Sequence, residues 1–365
     1  MSRGLYIHVP FCATRCSYCS FYTVTGGDQD AYLDALLTQL AQEAPALGPG
    51  PVDSVFMGGG TPSWLAPAAM ERLLEALAPR VGPDTEFTVE CNPEDVDAAL
   101  LARLAAGGVT RVSLGLQSTA DAELRAVGRR HDAARGLAAL DLLVGSGLRA
   151  SADLILGLPG QTPASLAATL DAVTVRRPEH LSLYCLELDP DAPLRRRLAA
   201  QPALDPGEDF RADAYLLAHQ VLGEIGYSAY EVSNWCLPGG ECRHNLEIWR
   251  GGEFLGLGPG AHSRLGGRRW SWAPDLAAWR EALAAGGRAP AVDDVPSASE
   301  AALERLLLGL RVREGLPLDE PLLAGREPFL ARCEAQGWAA REAGRWRLAP
   351  SGWLRLDGIL AALAT

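Results

Sequence analysis

The sequence predicts an α/β protein: an open parallel barrel of six strand–helix units, followed by a smaller helical, winged-helix-like C-terminal domain. Three observations carry this prediction. Short runs rich in Val, Ile, Leu and Phe alternate with longer stretches whose leucines recur at helical spacing, six times between residues 5 and 186. Gly, Pro and Asp clusters mark the transitions. Beyond residue 299 the pattern changes to two helices, a hairpin and a closing helix.

The first strand alternates Leu5, Ile7 and Val9 and is stopped by Pro10. Leu33, Leu36, Leu37 and Leu40 form the apolar stripe of a helix over 30–43, which Pro45 and a Gly-Pro-Gly-Pro run end. A buried strand over 54–57 then runs into Gly58-Gly59-Gly60-Thr61-Pro62. Strands follow at 86–90, 111–117, 149–156 and 181–186, and helices at 70–77, 96–105, 132–144 and 163–174. Strand followed by helix, repeated, implies a parallel sheet with helices on its outer face, and six units leave the barrel open. In such barrels chemistry gathers at the C-terminal ends of the strands. Glu90, Gln117 and Asp153 close or interrupt apolar strands at those ends. One polar residue ending a strand is often an ordinary cap; three at corresponding places mark a site.

Farther on, the pattern predicts a helix over 210–222, an edge strand over 227–232, a hairpin over 264–272 and a linker over 286–298. Helices over 301–311 and 328–336, a hairpin over 338–348 and a helix over 351–363 complete the chain. The expected division is residues 1–200 for the barrel, 201–290 for its extension and 291–365 for the winged-helix-like domain. Such wings read DNA in other proteins. Here basic and acidic residues of the segment nearly balance, which favours a packing or substrate-covering role.

Bulk composition narrows the function. A formal net charge of -12 speaks against nucleic-acid partners. Lysine is absent, which removes Schiff-base chemistry, pyridoxal phosphate attachment and a phosphate-loop lysine. No apolar run is long enough to span a membrane, and the opening residues do not read as a secretory signal, so the expected location is the reducing cytoplasm.

The chemistry is concentrated just after the first strand, where Cys12, Cys16 and Cys19 stand in a C-x3-C-x2-C loop. Thiolates are soft ligands that suit zinc or an iron–sulfur cluster. A 4Fe-4S cluster normally takes four, one per iron, so three leave one iron open to an outside ligand. The alternative is a structural zinc site completed by a fourth Cys or a His. Cys91, Cys185, Cys236, Cys242 and Cys333 read as ordinary buried thiols.

This spacing, with the Gly-Gly-Gly-Thr-Pro segment after the second strand, resembles the radical S-adenosylmethionine (SAM) superfamily. The resemblance implies a partial (β/α)6 barrel, a 4Fe-4S cluster on Cys12, Cys16 and Cys19, and SAM chelated to the open iron. It also implies that an electron donor feeds the cluster and that the cluster can cleave SAM to a 5′-deoxyadenosyl radical. The SAM site it implies is lined by Tyr6, Gly59, Gly60, Thr61, Glu90, Gln117, Arg129 and Asp153.

Within the superfamily the chain is most similar to the coproporphyrinogen dehydrogenase branch. That branch holds oxygen-independent dehydrogenases (HemN), which decarboxylate two propionates, and heme chaperones (HemW), which pass heme to respiratory membrane proteins. Three features point to the chaperones. Phe21 stands where the dehydrogenases carry a fourth cysteine. The chain enters its first strand by Leu5, without the long N-terminal extension of the dehydrogenases. His244-Asn245-Leu246-Glu247-Ile248-Trp249 resembles the chaperones' H-N-x-x-Y-W motif, with Ile248 in place of tyrosine and Gly-Pro-Gly-Ala-His262-Ser263 following. The expected ligand is therefore heme, with His244 as a candidate contact and His262 as a second. A heme carrier and a radical enzyme acting on a tetrapyrrole both remain open, and the carrier would reach the membrane through its partners.

Overall fold

The computed structural model describes residues 3–364, and among them one 12-stranded sheet organises the chain. Its centre is the expected barrel: β1 (Arg3–Val9), β2 (Ser54–Gly59), β3 (Glu86–Cys91), β4 (Arg111–Gln117), β5 (Arg149–Leu156) and β6 (His180–Cys185). These six are neighbours in chain order and pair in parallel throughout. Helices Gln29–Glu43, Pro67–Leu77, Ala98–Ala106, Ala133–Val144 and Pro163–Thr174 connect them. Asp28, Asp97, Asp132 and Thr162 cap four of these by accepting from a backbone N–H of the first turn. A further helix, Asp121–Ala126, was not legible in the sequence because it is shorter than two turns.

Register sorts the strand residues into two sets. Leu5, Val55 and Phe87 are cross-strand partners, as are Ile7, Met57, Val89 and Val112, and all belong to the main apolar core. The alternate positions carry Ser54, Glu86, Thr88, Arg111, Ser113, Ser151, Asp153, His180 and Ser182. A parallel strand packed on both faces reads as a near-continuous apolar run. Here alternation persists because one face meets the helices and the other a polar lumen.

Both edges of the barrel extend beyond the expected six units. On the far side, β7 (Ser228–Glu231) is the edge strand, and β8 (Asn234–Cys236) inserts antiparallel between it and β6. On the near side, β9 (Glu253–Leu257) pairs parallel with β1, Leu255 opposite Leu5. The expected hairpin is β10 (His262–Leu265) and β11 (Arg268–Trp272). The segment expected to be a linker contains β12 (Ala291–Asp294), which pairs with β11. Its exposed, acid-rich sequence lacks the alternation of a half-buried strand, so only the pairing reveals it.

In the last segment, helices Ala298–Arg311 and Glu327–Ala335 accompany a separate three-stranded sheet: β13 (Leu316–Pro317), β14 (Ala339–Glu342) and β15 (Arg345–Leu348), with β15 central. The closing helix is broken into Pro350–Trp353 and Leu356–Ala364. Among the described residues no helix is long and apolar enough to cross a membrane.

Candidate cluster and cofactor site

The cysteine loop is tied down from three sides. Residues Phe11–Cys12 pair with Val24–Thr25 in a short parallel ladder that closes its ends together. Ser17 donates to the carbonyl of Val127 through both its N–H and its hydroxyl. Leu194 N–H donates to Ser17 O. The glycines after β2 hold the other flank: Gly60 N–H donates to Val9 O at 2.8 Å and Thr61 N–H to Phe11 O at 2.7 Å. A Cβ on Gly60 would stand 2.7 Å from those same two carbonyls, and Gly59 has φ +103°, so both positions call for glycine.

A hydrogen-bond relay encircles two of the thiols. Thr61 Oγ1 donates to Cys12 Sγ at 3.3 Å, and Asn92 Nδ2 donates to Thr61 Oγ1 at 3.0 Å. Arg129 Nη2 donates to Asn92 Oδ1 at 2.7 Å and to Gly115 O at 2.6 Å, while its Nη1 lies 3.6 Å from Cys16 Sγ. Asn92 was missed by sequence reasoning. Its signal was the Asn-Pro turn directly after β3, at the strand end where barrel sites form.

Cys12, Cys16 and Cys19 all line one cavity of about 350 Å³ at the C-terminal mouth of the barrel. Gly59, Gly60, Thr61, Glu90, Gln117, Arg129 and Asp153 line it too, so the structure brings together the expected site residues except Tyr6. Tyr6 lies near enough to Glu90 for that carboxylate to help raise its phenol, after burial, but it lines a second cavity. Cys185, read as an ordinary buried thiol, is half-buried and faces the first cavity, as do Ser113 and Tyr184. Gln117 adopts φ +68° where the pairing of β4 with β5 shifts register. A left-handed glutamine at a bulge is a costly conformation held by its surroundings, as is common at functional sites.

The donor set fits a cluster. Burial raises the Cys12 and Cys19 thiols, and the Thr61 hydrogen bond together with the charges of Arg129 and Arg15 favours the thiolate of Cys12. A cluster that takes one thiolate per iron suits three thiols of one loop that line a single cavity.

The cavity floor is acidic. Burial pushes the Glu90 carboxyl up to about 8, with the neighbouring Asp153 adding to the shift and a hydrogen bond from Gly59 N–H, 3.2 Å away, opposing it. Burial pushes Asp153 up to about 6 against hydrogen bonds from Ser182 and Ser113, the latter at 2.9 and 3.0 Å to its two oxygens. Both acids hold their protons to higher pH when folded than when unfolded. Between pH 4.5 and about 8 the unfolded chain therefore binds fewer protons, and Glu90 makes stability fall as pH rises through that window. The expected slope is at most about 1.4 kcal/mol per pH unit for each proton. Denaturant midpoints of the cluster-free protein across this window check it. Glu90→Gln flattens the profile if the assignment is right, and a slope unchanged by that substitution overturns it.

The second cavity, about 510 Å³, opens beside the first, and Ser20 and Phe21 line both. Its walls include Tyr6, His8, His244, Ile248, Phe254 and His262. The segment carrying His244 is helical, Arg243–Trp249. Its start is anchored by Glu86 Oε1, which accepts from His244 N–H at 3.1 Å. The His244 ring is 3% exposed, pairs through Nδ1 with Ser54 Oγ at 2.8 Å and stacks on Phe56 with centroids 5.2 Å apart. Burial lowers it to about 4, so it stays neutral. Trp249, the last residue of the segment, packs beneath the Arg311 guanidinium at 4.2 Å, away from this cavity.

Comparisons with known proteins agree with this geometry. Residues 6–173 match the Radical SAM superfamily model. The chain is 39% identical over 332 residues to a heme chaperone HemW of Mycobacterium tuberculosis, covering 89% of this chain and 85% of that protein. It is 36% identical over 268 residues to the Escherichia coli HemW, covering 72% and 70% respectively. In structure it resembles the E. coli coproporphyrinogen III oxidase HemN with a TM-score of 0.84 at 24% identity, covering 100% of this chain and 90% of that one. That likeness places the fold, while the sequence relatives decide the branch: the chain belongs to the HemW heme chaperone family of the radical SAM superfamily.

Proposed function

We propose that this chain binds heme and delivers it to respiratory acceptor proteins, while Cys12, Cys16 and Cys19 hold a 4Fe-4S cluster whose open iron takes SAM. The observation that carries this reading is the identity to proteins named heme chaperones, sustained over most of both chains. A bound cluster would supply single electrons and an open iron. The chain's own residues do the rest. Arg129 sets its guanidinium 3.6 Å from Cys16 Sγ, and Gly60, where a Cβ would meet the Val9 and Phe11 carbonyls, lets the strand end pack against the cysteine loop. Glu90 and Asp153 offer acceptors to hydroxyl or ammonium groups, and Gln117 and Thr61 add polar contacts at the wall. His244 contributes the wall of the neighbouring cavity.

With this reading we keep residues 1–200 as the cluster and SAM unit, 201–290 as the extension bearing the His244 helix, and 291–365 as a covering domain. The location that fits is cytoplasmic, with the membrane met through partners and an electron donor serving the cluster. The alternative, oxygen-independent decarboxylation of coproporphyrinogen III, needs each propionate positioned in turn, and positioning is where enzymes gain much of their rate. Phe21 replaces the cysteine that marks that activity in the branch.

Parallel assays on anaerobically reconstituted protein test the two readings. Heme uptake with a Soret shift, and no conversion of coproporphyrinogen III in the presence of SAM and reductant, is the expected outcome. Multiple turnovers of coproporphyrinogen would instead make the chain a dehydrogenase.

A further inference from the structure

We infer that the second cavity is the iron-porphyrin site and that His262 supplies the axial nitrogen; this rests on the heme-binding reading above. At about 510 Å³ the cavity has the size of a small-molecule site, and its lining joins the apolar walls Phe21, Ile248, Phe254 and Trp272 to imidazoles. A porphyrin needs this combination: apolar surface against its faces and a neutral nitrogen on its iron. The cluster cavity suits it less, because it is smaller, about 350 Å³, and is lined by the three thiols that would hold the cluster.

Three histidines line the second cavity, and their surroundings separate them. Both ring nitrogens of His8 are engaged, Nδ1 with Tyr6 Oη at 3.1 Å and Nε2 with Tyr22 O at 2.9 Å. His244 is walled in by Phe56 on one face and by Gly4, where a Cβ would come within 3.2 Å of its Cε1. At 3% exposure it leaves no room for a macrocycle to reach its ring without moving the strands. His262 is exposed at the first position of β10, and among the described residues none hydrogen-bonds or ion-pairs with its ring. Its backbone is nonetheless fixed. His262 pairs with Ser271 across the hairpin, and a Cβ on Gly256 would lie 2.1 Å from His262 O, so β9 approaches this strand closely through a glycine. A ring free to turn on a rigid strand is a suitable axial ligand. Because Ser20 and Phe21 line both cavities, the heme and the cluster would be neighbours.

Heme titrations of reconstituted protein test the assignment, read by difference spectra in the Soret region and by the electron paramagnetic resonance of the ferric iron. In His262→Ala, affinity is expected to fall about tenfold or more, the scale seen when even a metal ligand's supporting partner is lost. The nitrogen-ligated ferric signal should be lost with it and return on adding imidazole. Ile248→Trp, which fills the cavity, should lower heme affinity while cluster iron and SAM binding stay as in the parent, showing that the fold is kept. Parent-like spectra and affinity in His262→Ala would overturn the ligand assignment, and unchanged heme affinity in Ile248→Trp would overturn the cavity. A parent protein that takes up no heme defeats the functional reading itself, a result distinct from both.

Discussion

Replacing Cys16 by alanine is expected to leave anaerobically reconstituted protein without a full four-iron cluster and without tight SAM binding. A cluster held by only three thiolates has no spare protein ligand. Cys16 is also the thiol nearest the Arg129 guanidinium, 3.6 Å away, and the residue before Ser17, which fastens the loop to Val127. Its loss removes one iron ligand and one partner of Arg129, which keeps the Asn92 and Gly115 carbonyls and the nearby Glu94 carboxylate. Cys185 faces the same cavity but sits at the end of β6, outside the loop. Iron and sulfide analysis with a SAM-binding titration checks the expectation. Four irons and undiminished SAM binding in Cys16→Ala would show that the tripod is wrongly assigned.

Truncating Glu86 to alanine is expected to destabilise the protein by about 3–5 kcal/mol, the cost of breaking a buried ion pair by removing one partner. Arg111 and Glu86 meet at 3.3 Å with 2% of each side chain exposed, on adjacent strands at the closed end of the lumen. Arg111 also donates to the carbonyls of Gly240 and Glu241. Glu86 Oε1 accepts from His244 N–H and lies 3.5 Å from Cys242 Sγ. Removing the carboxylate leaves a guanidinium without its counter-charge in a dry site and frees the start of the helix that carries His244 and Ile248. Denaturant unfolding measures the loss. A change below about 1 kcal/mol would mean that the pair is solvated and behaves as a surface pair. Replacing both partners by apolar residues of similar volume should cost much less, because no charge is then left unpaired.

The outcome differs along the chain for physical reasons. The six barrel strands were legible because each buries an apolar face under helices, and that burial writes itself into the alternation of Leu5, Ile7 and Val9 or of Val112, Leu114 and Leu116. The strands beyond them were less so. β8 is buried but has only three residues, too few to show a period, and β12 is exposed throughout, so that only its backbone pairing defines it. The expected linker proved to be sheet edge for this reason. The sequence pattern assigns no element to the segment around His244, and its helix is anchored near its start by Glu86, 158 residues earlier, which accepts from His244 N–H.

The sequence by itself determined the cysteine spacing, the glycine segment and the strand-ending acids, because a thiol tripod and a close backbone approach depend on local order along the chain. Only the tertiary structure decided which residues share a cavity. It joined Asn92 to Arg129, turned Cys185 toward the cysteine loop and placed Tyr6 with the second cavity. It also separated three histidines that look alike in sequence, walling in His244, tying up His8 and leaving His262 open. Those differences arise from packing between strands far apart in the chain, and residue spacing carries no record of such contacts.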